Sequence, residues 1–352
     1  MSSSTIGGVP IPPVGSSSAI GRAPVPPLAL IDRVGGAAAF PPDVLEANPW
    51  LHDPVETYQR LGVAIRDHIL AALPAGWSPE NKRVLDFGCG SGRVLRHFAE
   101  LSETVELWGC DIDRASVEWL QANLSPPLRV LSNGAGPPLE LPSGQFDLIY
   151  AVSVFTHLTD EWSSWLLEMR RLLKPDGLLV ATFLGPGFAH AINRLPWHEP
   201  WDEERIGMHI IGLGTPWDEG GPIVLHGRWW LEAHWGRAFD VLSLTPGRDG
   251  GHGIFVGRKT IEREPSREDL ERLEPGEGRE VEALAWSLRQ ARSEITFLRT
   301  SYEAQRVEFE RTRSELTGSL RDFEAMRDSR SWRFTRPLRL LRSALGPSLH
   351  RT

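Results

Sequence analysis

The segment Val84 to Leu95, VLDFGCGSGRVL, carries three glycines at alternate positions between an apolar run and a helical pattern. Glycine is needed where the backbone must turn with positive φ or let a ligand approach the chain closely. A helix that follows such a turn presents unpaired amide groups at its first residues. The segment therefore predicts a strand, a tight turn and a helix that together bind a ligand.

Two details of this turn distinguish between nucleotide ligands. The spacing Gly88-x-Gly90-x-Gly92 is one residue short of the G-x-G-x-x-G that binds a pyrophosphate. Asp86 precedes the first glycine by two residues, where a carboxylate would repel a diphosphate but can hydrogen-bond an ammonium group, directly or through water. At these residues the chain resembles the class I S-adenosyl-L-methionine (SAM) dependent methyltransferases, whose first motif is an acid followed by G-x-G-x-G. The resemblance implies SAM as the cofactor.

The predicted second strand, residues 104–110, is followed by an acid about twenty residues after the glycines. Asp111 at that place can accept hydrogen bonds from both ribose hydroxyls, and Ile112 can pack against the adenine. The alternative is that Asp113 binds the ribose and that Asp111 only caps the next helix.

Further cofactor contacts follow the predicted third and fourth strands. The family often has an acid after the third strand that meets the adenine amino group, and here Asn133 and Gly134 stand instead, which leaves their role open. Ser153, after the fourth strand, completes the predicted cofactor contacts.

The resemblance covers most of residues 80–184, because several motifs of the family occur in order. A strand beginning Phe-Asp at residue 146 is followed by a helix ending L-K-P-x-G and an apolar strand through Phe183; Asp176 stands where the family usually has Gly, at a turn position that Asp tolerates. Short apolar runs at 239–244 and 252–257 predict the antiparallel hairpin that ends the sheet of this family, rather than the parallel units of an NAD dehydrogenase. We expect an α/β, Rossmann-like, seven-stranded class I methyltransferase fold.

Transfer of a methyl group from a sulfonium is an in-line displacement, to which an enzyme contributes proximity. An oxygen acceptor also calls for a base. His157 lies just after the fourth strand, at the edge where ligands of open α/β sheets bind, and a neutral imidazole can take a hydroxyl proton. The alternative is that His157 caps or packs against the following helix. Weaker candidates are His209, His226 and His252.

Aromatic residues suggest where an acceptor binds. Tyr58 lies in a predicted helix over residues 54–73, and helices before the first strand cover the cofactor in this family, so Tyr58 is expected near the methionine end of SAM or else half-buried in the core. Residues 185–236 follow the fifth strand, where the family builds its acceptor pocket. Aromatic faces there suit carbohydrate or ring acceptors, although tryptophans also fill cores. The tryptophans concerned are Trp197, Trp201, Trp217, Trp229, Trp230 and Trp235.

A heptad pattern predicts a C-terminal α-helical coiled coil, about 65 to 70 Å long at ~1.5 Å per residue, that forms a homo-oligomer. The stripe is too narrow for a globular helix, but a long helix folding back on its own domain is the alternative. The second row, three residues on, is polar in the middle, which weakens pairing there. The first, apolar row consists of Val281, Leu288, Ile295, Tyr302, Phe309, Leu316 and Phe323.

Residues 327–352 contain seven arginines and a single acid, Asp328. Arginine interleaved with Trp, Phe and Leu suits an anionic membrane surface or an acidic partner, and a disordered basic tail is the alternative. The S-W-R-x-T-x-P-L-R sequence at 331–339 resembles an element at the ends of bacterial proteins of surface-polysaccharide synthesis, including glycosyltransferases. The resemblances together imply a methyltransferase acting on a hydroxyl of a cell-surface glycan or its precursor. The alternatives are a small metabolite or lipid as acceptor, or an inactive scaffold.

Composition limits the other functions. A net charge of −8 argues against a nucleic-acid binder driven by overall charge. Cys89 and Cys110 offer no metal-ligand spacing and predict a reducing, cytoplasmic compartment. Peripheral contact at the inner face of the membrane is expected from the basic C-terminal segment instead. No run reaches the ~18 apolar residues of a membrane span, and no signal peptide is expected. The predicted segments are a Pro/Ser/Gly-rich disordered tail (1–45), the methyltransferase domain (46–260), a linker (261–277), the coiled coil (278–328) and a basic end (329–352).

Overall fold

A computed structural model describes residues 5–6, 9–10, 54–185, 205–215, 221–247, 251–260, 262, 264–274 and 276–344. The chain divides into two compact units, Met1–Ser287 and Leu288–Thr352. The described helices are α1 (Pro54–Ala72), α2 (Leu95–Phe98), α3 (Arg114–Asn123), α4 (Trp162–Leu172), α5 (Arg228–Trp235), α6 (Arg267–Glu271), α7 (Arg279–Asp328) and α8 (Arg330–Ala344). The described strands are β1 (Thr5–Ile6), β2 (Val9–Pro10), β3 (Arg83–Phe87), β4 (Glu106–Asp111), β5 (Arg129–Ser132), β6 (Phe146–Ala151), β7 (Leu173–Phe183), β8 (Met208–Ile211), β9 (Ile223–His226), β10 (Phe239–Thr245) and β11 (Gly253–Lys259).

Seven strands of the first unit form one sheet in the order β10-β11-β7-β6-β3-β4-β5. The neighbours from β7 to β5 pair in parallel, whereas β11 runs antiparallel to both β7 and β10. This arrangement is the predicted Rossmann-like class I methyltransferase fold, and the expected terminal hairpin is β10 and β11.

The central strands are apolar on both faces because helices cover both sides of the sheet. Successive side chains point to opposite faces, and Val84 and Leu85 of β3 accordingly belong to different core clusters. One face packs against α4 through Trp165, and the other packs against α1 and α2 through Ile69 and Phe98. Both faces of the central sheet are therefore buried.

The order of the strands reverses at β3, which lies between β4 and β6. Ligands of open α/β sheets bind beyond the carboxyl ends of the strands at such a reversal. The glycine turn follows β3, Asp111 ends β4 and Ser153 follows β6. The topology thus brings the predicted cofactor contacts to one edge of the sheet.

The segment predicted as a linker contains a packed helix in its described part. Ser266 and Asp269 form a capping box at the start of α6, and Leu270 is fully buried. The first two turns of α7 also belong to the first unit, where Glu280 and Trp286 are buried. The division between the two units therefore falls after residue 287. A few buried side chains, Leu270, Glu280 and Trp286, fix this Glu- and Arg-rich stretch within the first unit.

In the second unit α7 continues to Asp328, and its length is consistent with the predicted coiled coil. The apolar heptad residues from Leu288 to Phe323 are 49 to 64 % exposed. Across the described ranges, no helix combines the length and the apolarity needed to cross a membrane.

Candidate active site

The glycine turn is fixed to the neighbouring strand by backbone hydrogen bonds. The amides of Gly88 and Cys89 donate to the carbonyl oxygen of Cys110, at 2.9 and 3.0 Å. Gly88, Gly90 and Gly92 have φ angles of +81°, +50° and +76°. Positive φ at every second residue is costly for side chains with a Cβ, which explains the alternation of glycines.

The three glycines differ in what surrounds them. A Cβ atom at Gly88 would lie 2.3 Å from Cγ2 of Val154, and one at Gly92 would lie 2.8 Å from Cδ2 of Leu120. A Cβ atom at Gly90 would meet nothing within 4 Å. Packing thus requires the outer two glycines, whereas the middle one leaves the backbone open to a ligand.

Asp111 and Asp113 have separate roles at the end of β4. The carboxylate of Asp111 accepts hydrogen bonds from the amide of Gly90 at 2.6 Å and from that of Asp113 at 2.8 Å. Asp113 caps α3 by accepting from the amides of Ala115 and Ser116. Asp111 therefore joins the strand end to the glycine turn and does not cap the helix, whereas the alternative ribose ligand, Asp113, is engaged as the cap.

Ile112 and Asn133, which follow β4 and β5, each present a group that a bound nucleoside could contact. Ile112 is 61 % exposed, which leaves an apolar side chain available to an adenine face. The amide of Asn133 donates to the carbonyl of Asp111 at 3.0 Å, and its Nδ2 donates to the carbonyl of Gly134 at 2.8 Å. Its buried Oδ1 has no partner among the described residues and is an acceptor suited to an adenine amino group.

Asp86 is almost fully buried beneath the turn and accepts a hydrogen bond from the Tyr150 hydroxyl at 3.0 Å. Burial raises the pKa of Asp86 to about 8, and the Tyr150 hydrogen bond lowers it in part. A cation bound next to this carboxyl would favour its charged form. Asp86 can thus serve as the expected partner of an ammonium group, with loss of its proton on binding.

Tyr58 connects α1 to the glycine turn. Its hydroxyl lies 2.6 Å from Oγ of Ser91, and its ring lies under the guanidinium of Arg96, 5.4 Å from the ring centroid. Burial raises the pKa of Tyr58. The half-buried ring of Tyr58 therefore lies against the glycine turn and the start of α2.

A cavity of about 560 Å³ lies beside the turn, between α1 and the carboxyl ends of β6, β7 and the β10–β11 hairpin. This volume is in the range of small-molecule sites. Its apolar lining includes Ile65, Ile69, Val152 and Ile254, and the polar side chains in its lining are His68, Arg93, Ser153, Thr182, Thr245 and His252.

Ser153 is held in a left-handed conformation at the mouth of this cavity, with φ +60°. Its amide donates to Oγ1 of Thr182 at 2.8 Å, and its hydroxyl lies 3.1 Å from Nε2 of His252. Withdrawal from water, together with the nearby guanidinium of Arg93, lowers the pKa of His252 to about 4. His252 is thus a neutral ring at the cavity, although the sequence ranked it below His157.

The other three candidate histidines, His157, His209 and His226, do not belong to the described lining of the cavity. Nδ1 of His157 lies 2.7 Å from the carbonyl oxygen of Pro222, which fixes the proton on Nδ1 and makes Nε2 the basic nitrogen. His209 and His226 are buried, and desolvation lowers their pKa values to about 4 and about 3. His226 lies 5.5 Å from the ring of Trp230, in the core. His209 and His226 are therefore core residues.

The prediction that the tryptophans form an acceptor pocket is wrong for the three that the structure describes. Trp229, Trp230 and Trp235 are 0 to 7 % exposed and pack in the core cluster below α5. Trp230 contacts the ring of Trp162, and Trp235 contacts that of Phe255, so these large rings fill the core. Trp197, Trp201 and Trp217 lie outside the described residues.

Sequence reasoning missed Arg93 and His68, which line the cavity. Arg93 directly follows the third glycine, so its place at a ligand-binding turn was a signal in the sequence. His68 lies on the exposed side of α1, one residue before the buried Ile69. Nothing in the local pattern distinguishes that histidine from an ordinary solvated one.

Comparison with known proteins gives the class of this site. A family model described as a methyltransferase domain matches residues 85–179. The ubiquinone biosynthesis O-methyltransferase of Cereibacter sphaeroides is 31 % identical over 130 residues, which cover 35 % of this chain and 50 % of the relative. The malonyl-[acyl-carrier protein] O-methyltransferase of Halalkalibacterium halodurans is 29 % identical over 111 residues, covering 30 % and 41 %.

Among solved structures, the chain is similar to the 1,6-didemethyltoxoflavin-N1-methyltransferase of Burkholderia thailandensis, which has 1,6-didemethyltoxoflavin and S-adenosylhomocysteine bound. The identity is 18 %, the TM-score is 0.42, and the match covers 62 % of this chain and 84 % of that one. The chain spans about half or less of the length of the two curated relatives. Residues 85–179, which include the glycine turn, are thus similar to a methyltransferase domain.

Proposed function

We propose that the chain transfers the methyl group of SAM to a hydroxyl of an acceptor bound in the cavity beside the glycine turn. The observation that carries this proposal is the open backbone at Gly90, with no atom within 4 Å of an added Cβ. Gly90, Asp111, Ile112 and Asn133 would hold the nucleoside of SAM, and Asp86 its amino group. When bound, SAM supplies a methyl group on a sulfonium.

His157 is the proposed base for the acceptor hydroxyl. Its Nδ1 faces the carbonyl oxygen of Pro222, so that Nε2 is the nitrogen able to take a proton. Replacement by alanine would then reduce turnover and leave SAM affinity unchanged. A wild-type rate for His157→Ala would assign the residue to packing.

The proposed acceptor is a glycan or a glycan precursor of the bacterial cell surface. This part of the proposal depends on the S-W-R-x-T-x-P-L-R sequence at 331–339, because the three described tryptophans are core residues. The O-methyltransferases among the relatives favour an oxygen atom as the site of methylation. A small metabolite or a lipid is the competing acceptor class.

The test is transfer of label from tritiated SAM to carbohydrate, lipid and small-metabolite fractions of a bacterial extract. We expect label in the carbohydrate fraction, its loss in Asp111→Ala and its retention in the helix-cap variant Asp113→Ala. Loss of two hydrogen bonds to ribose would weaken SAM by about 2–4 kcal/mol. Label in another fraction would contradict the glycan class alone, and SAM binding without transfer to any fraction would favour a scaffold.

The coiled-coil segment is proposed to pair with a second copy of this chain. The residue before each member of the apolar row is acidic or Ser, and the residue four positions after each is mainly Arg. In a parallel pair in register, the residue that precedes a member of the apolar row faces the partner's residue five positions further along the sequence. The opposed charges are Glu294 with Arg299, Glu308 with Arg313, and Asp322 with Arg327.

An antiparallel pair would place these acidic positions together and these arginines together, which is unfavourable. The charges thus favour two parallel helices. Sedimentation of the full chain is expected to give a dimer, and Ala291→Cys near one end of the coil should form a disulfide with its own copy. A monomer would contradict the pairing, and a dimer that Ala291→Cys does not cross-link would contradict the parallel register.

The basic segment after the coil is proposed to contact an anionic surface at the inner face of the membrane, with the protein in the cytoplasm. Arg330, Arg333 and Arg336 recur every three residues along α8. Co-flotation of the full chain with vesicles that contain anionic lipid is expected, and its absence with neutral vesicles. Equal flotation with both would contradict an electrostatic contact.

A further inference from the structure

Arg93 is a cation in the wall of the cavity, and it has no ionic partner among the residues that the structure describes. Its guanidinium has no hydrogen bond or ion pair with any residue that the structure describes, and its described contact is the Tyr58 ring, 6.0 Å from guanidinium carbon to ring centroid. Charged side chains that are partly withdrawn from water are normally paired. The partner of Arg93 is therefore expected to come from a ligand.

No aspartate or glutamate belongs to the described lining of the cavity. Asp86 is the acid that acts electrostatically with Arg93, but its carboxyl is buried, carries a raised pKa and forms no ion pair. The hydroxyl of Thr182 accepts from the Ser153 amide and keeps its own proton to donate. The polar lining thus offers donors and one positive charge.

The apolar part of the same lining includes Ile65 and Ile69 on α1, together with Ile254 on β11. A cavity that combines a cation with apolar side chains in its lining suits a ligand that carries both an anionic group and a C–H face. A sugar acid has both features, because its ring presents C–H groups and its carboxylate can pair with a guanidinium.

We propose that the cavity binds an acceptor that carries a carboxylate, which pairs with Arg93 while its apolar face packs against Ile65 and Ile69. This inference rests on the proposed methyl transfer, because the cavity adjoins the cofactor turn. Among glycan acceptors it selects acidic sugars over neutral ones. Arg93 is then a specificity-determining residue.

Glucuronate and glucose are the matched probes, since they differ in the carboxylate. Saturation-transfer NMR on the full chain, with and without S-adenosylhomocysteine, should show glucuronate binding at least about tenfold tighter than glucose. Arg93→Met should remove this preference and Arg93→Lys should retain most of it. Arg60→Met, which removes an exposed charge from α1 outside the cavity lining, should leave it unchanged.

Two outcomes would overturn the inference. Equal binding of the two sugars to the wild-type chain would do so, as would an unchanged preference in Arg93→Met. A third measurement compares S-adenosylhomocysteine with 5′-methylthioadenosine, which lacks the amino-acid end. If Arg93→Met weakens only the former, Arg93 binds the carboxylate of the cofactor and the inference is wrong. Failure of the wild-type chain to bind S-adenosylhomocysteine would instead contradict the proposed function, and the sugar preference of the free protein still decides the role of Arg93.

Discussion

At the scale of single residues, the three glycines of the turn have different structural roles although they are regularly spaced and chemically identical. Gly88 and Gly92 face Val154 and Leu120 at distances that exclude a Cβ atom. Gly90 faces open space and shares a hydrogen bond with Asp111 through its amide. Fold and ligand binding are thus separable by single substitutions in one short turn.

Gly90→Ala is expected to fold, at a cost of about 1–2 kcal/mol for a Cβ at positive φ, and to lose most of its SAM affinity because the methyl group occupies the open side. Gly88→Ala adds a clash with Val154 and should lower the Tm much further. Thermal unfolding and calorimetric titration with SAM measure both effects. Wild-type affinity in Gly90→Ala would show that the ligand does not approach the turn there.

The buried carboxyl of Asp86 gives a pH dependence with a defined sign. Its pKa of about 8 in the folded chain lies above the value of about 3.9 in an unfolded one. Between these values the folded state binds more protons, so that the free energy of unfolding falls as the pH rises from about 4 to about 8. Urea unfolding across this range should show a flatter profile for Asp86→Asn than for the wild type. Parallel profiles would contradict the raised pKa.

The sequence predicted which residues lie at the turn better than it predicted the separate role of each one. Asp111 and Asp113 are two residues apart, and local spacing cannot decide which one caps α3, because the answer depends on where β4 ends. Arg93 was not predicted because the motif is defined by its glycines. That Arg93 lines a cavity and has no ionic partner among the described residues depends on contacts that the motif does not contain. Residue roles of this kind depend on tertiary contacts.

At the scale of elements, α7 is attached to the first unit by a buried pair. Nε2 of His234 lies 2.8 Å from Oε1 of Glu280, and its Nδ1 lies 2.7 Å from the carbonyl oxygen of Leu270. Both ring nitrogens of the buried His234 thus lie within hydrogen-bond distance of an oxygen atom. This contact joins α5, α6 and the start of α7.

Glu280→Ala is expected to lower the free energy of unfolding of the first unit by about 1–3 kcal/mol, because it leaves a buried ring nitrogen without its hydrogen-bond partner. Glu282→Ala removes an exposed carboxylate two residues further along the same helix and should change stability little. Denaturant unfolding of the full chain compares the two variants. Equal stabilities would show that the pair does not hold the helix.

Elements that carry a family motif were predictable from the sequence, whereas an element held in place by one buried side chain was not. The glycine turn, the hairpin β10–β11 and the order of the parallel strands follow from local patterns that recur in this fold. Helix α6 lies in a stretch rich in Glu, Arg, Pro and Gly, and Leu270 alone is fully buried there. Burial of one side chain depends on its neighbours in space, which periodicity does not report.

At the scale of the molecule, the chain combines a region similar to a methyltransferase domain with a long helix whose apolar heptad residues are exposed. The sheet order brings the ends of β3, β4 and β6 to one edge, and the cavity opens beside them. Only part of this arrangement was predictable, because the sequence placed the acceptor among tryptophans that the fold uses as core. The central claim is that this edge binds SAM and not a dinucleotide.

Calorimetric titration of the purified full chain with SAM, and separately with NAD, tests this claim most directly. The account predicts one SAM site per chain with micromolar affinity and no heat of binding from NAD. Absence of SAM binding, or preferential binding of NAD, would contradict it, because the open backbone at Gly90 would then serve no methyl donor.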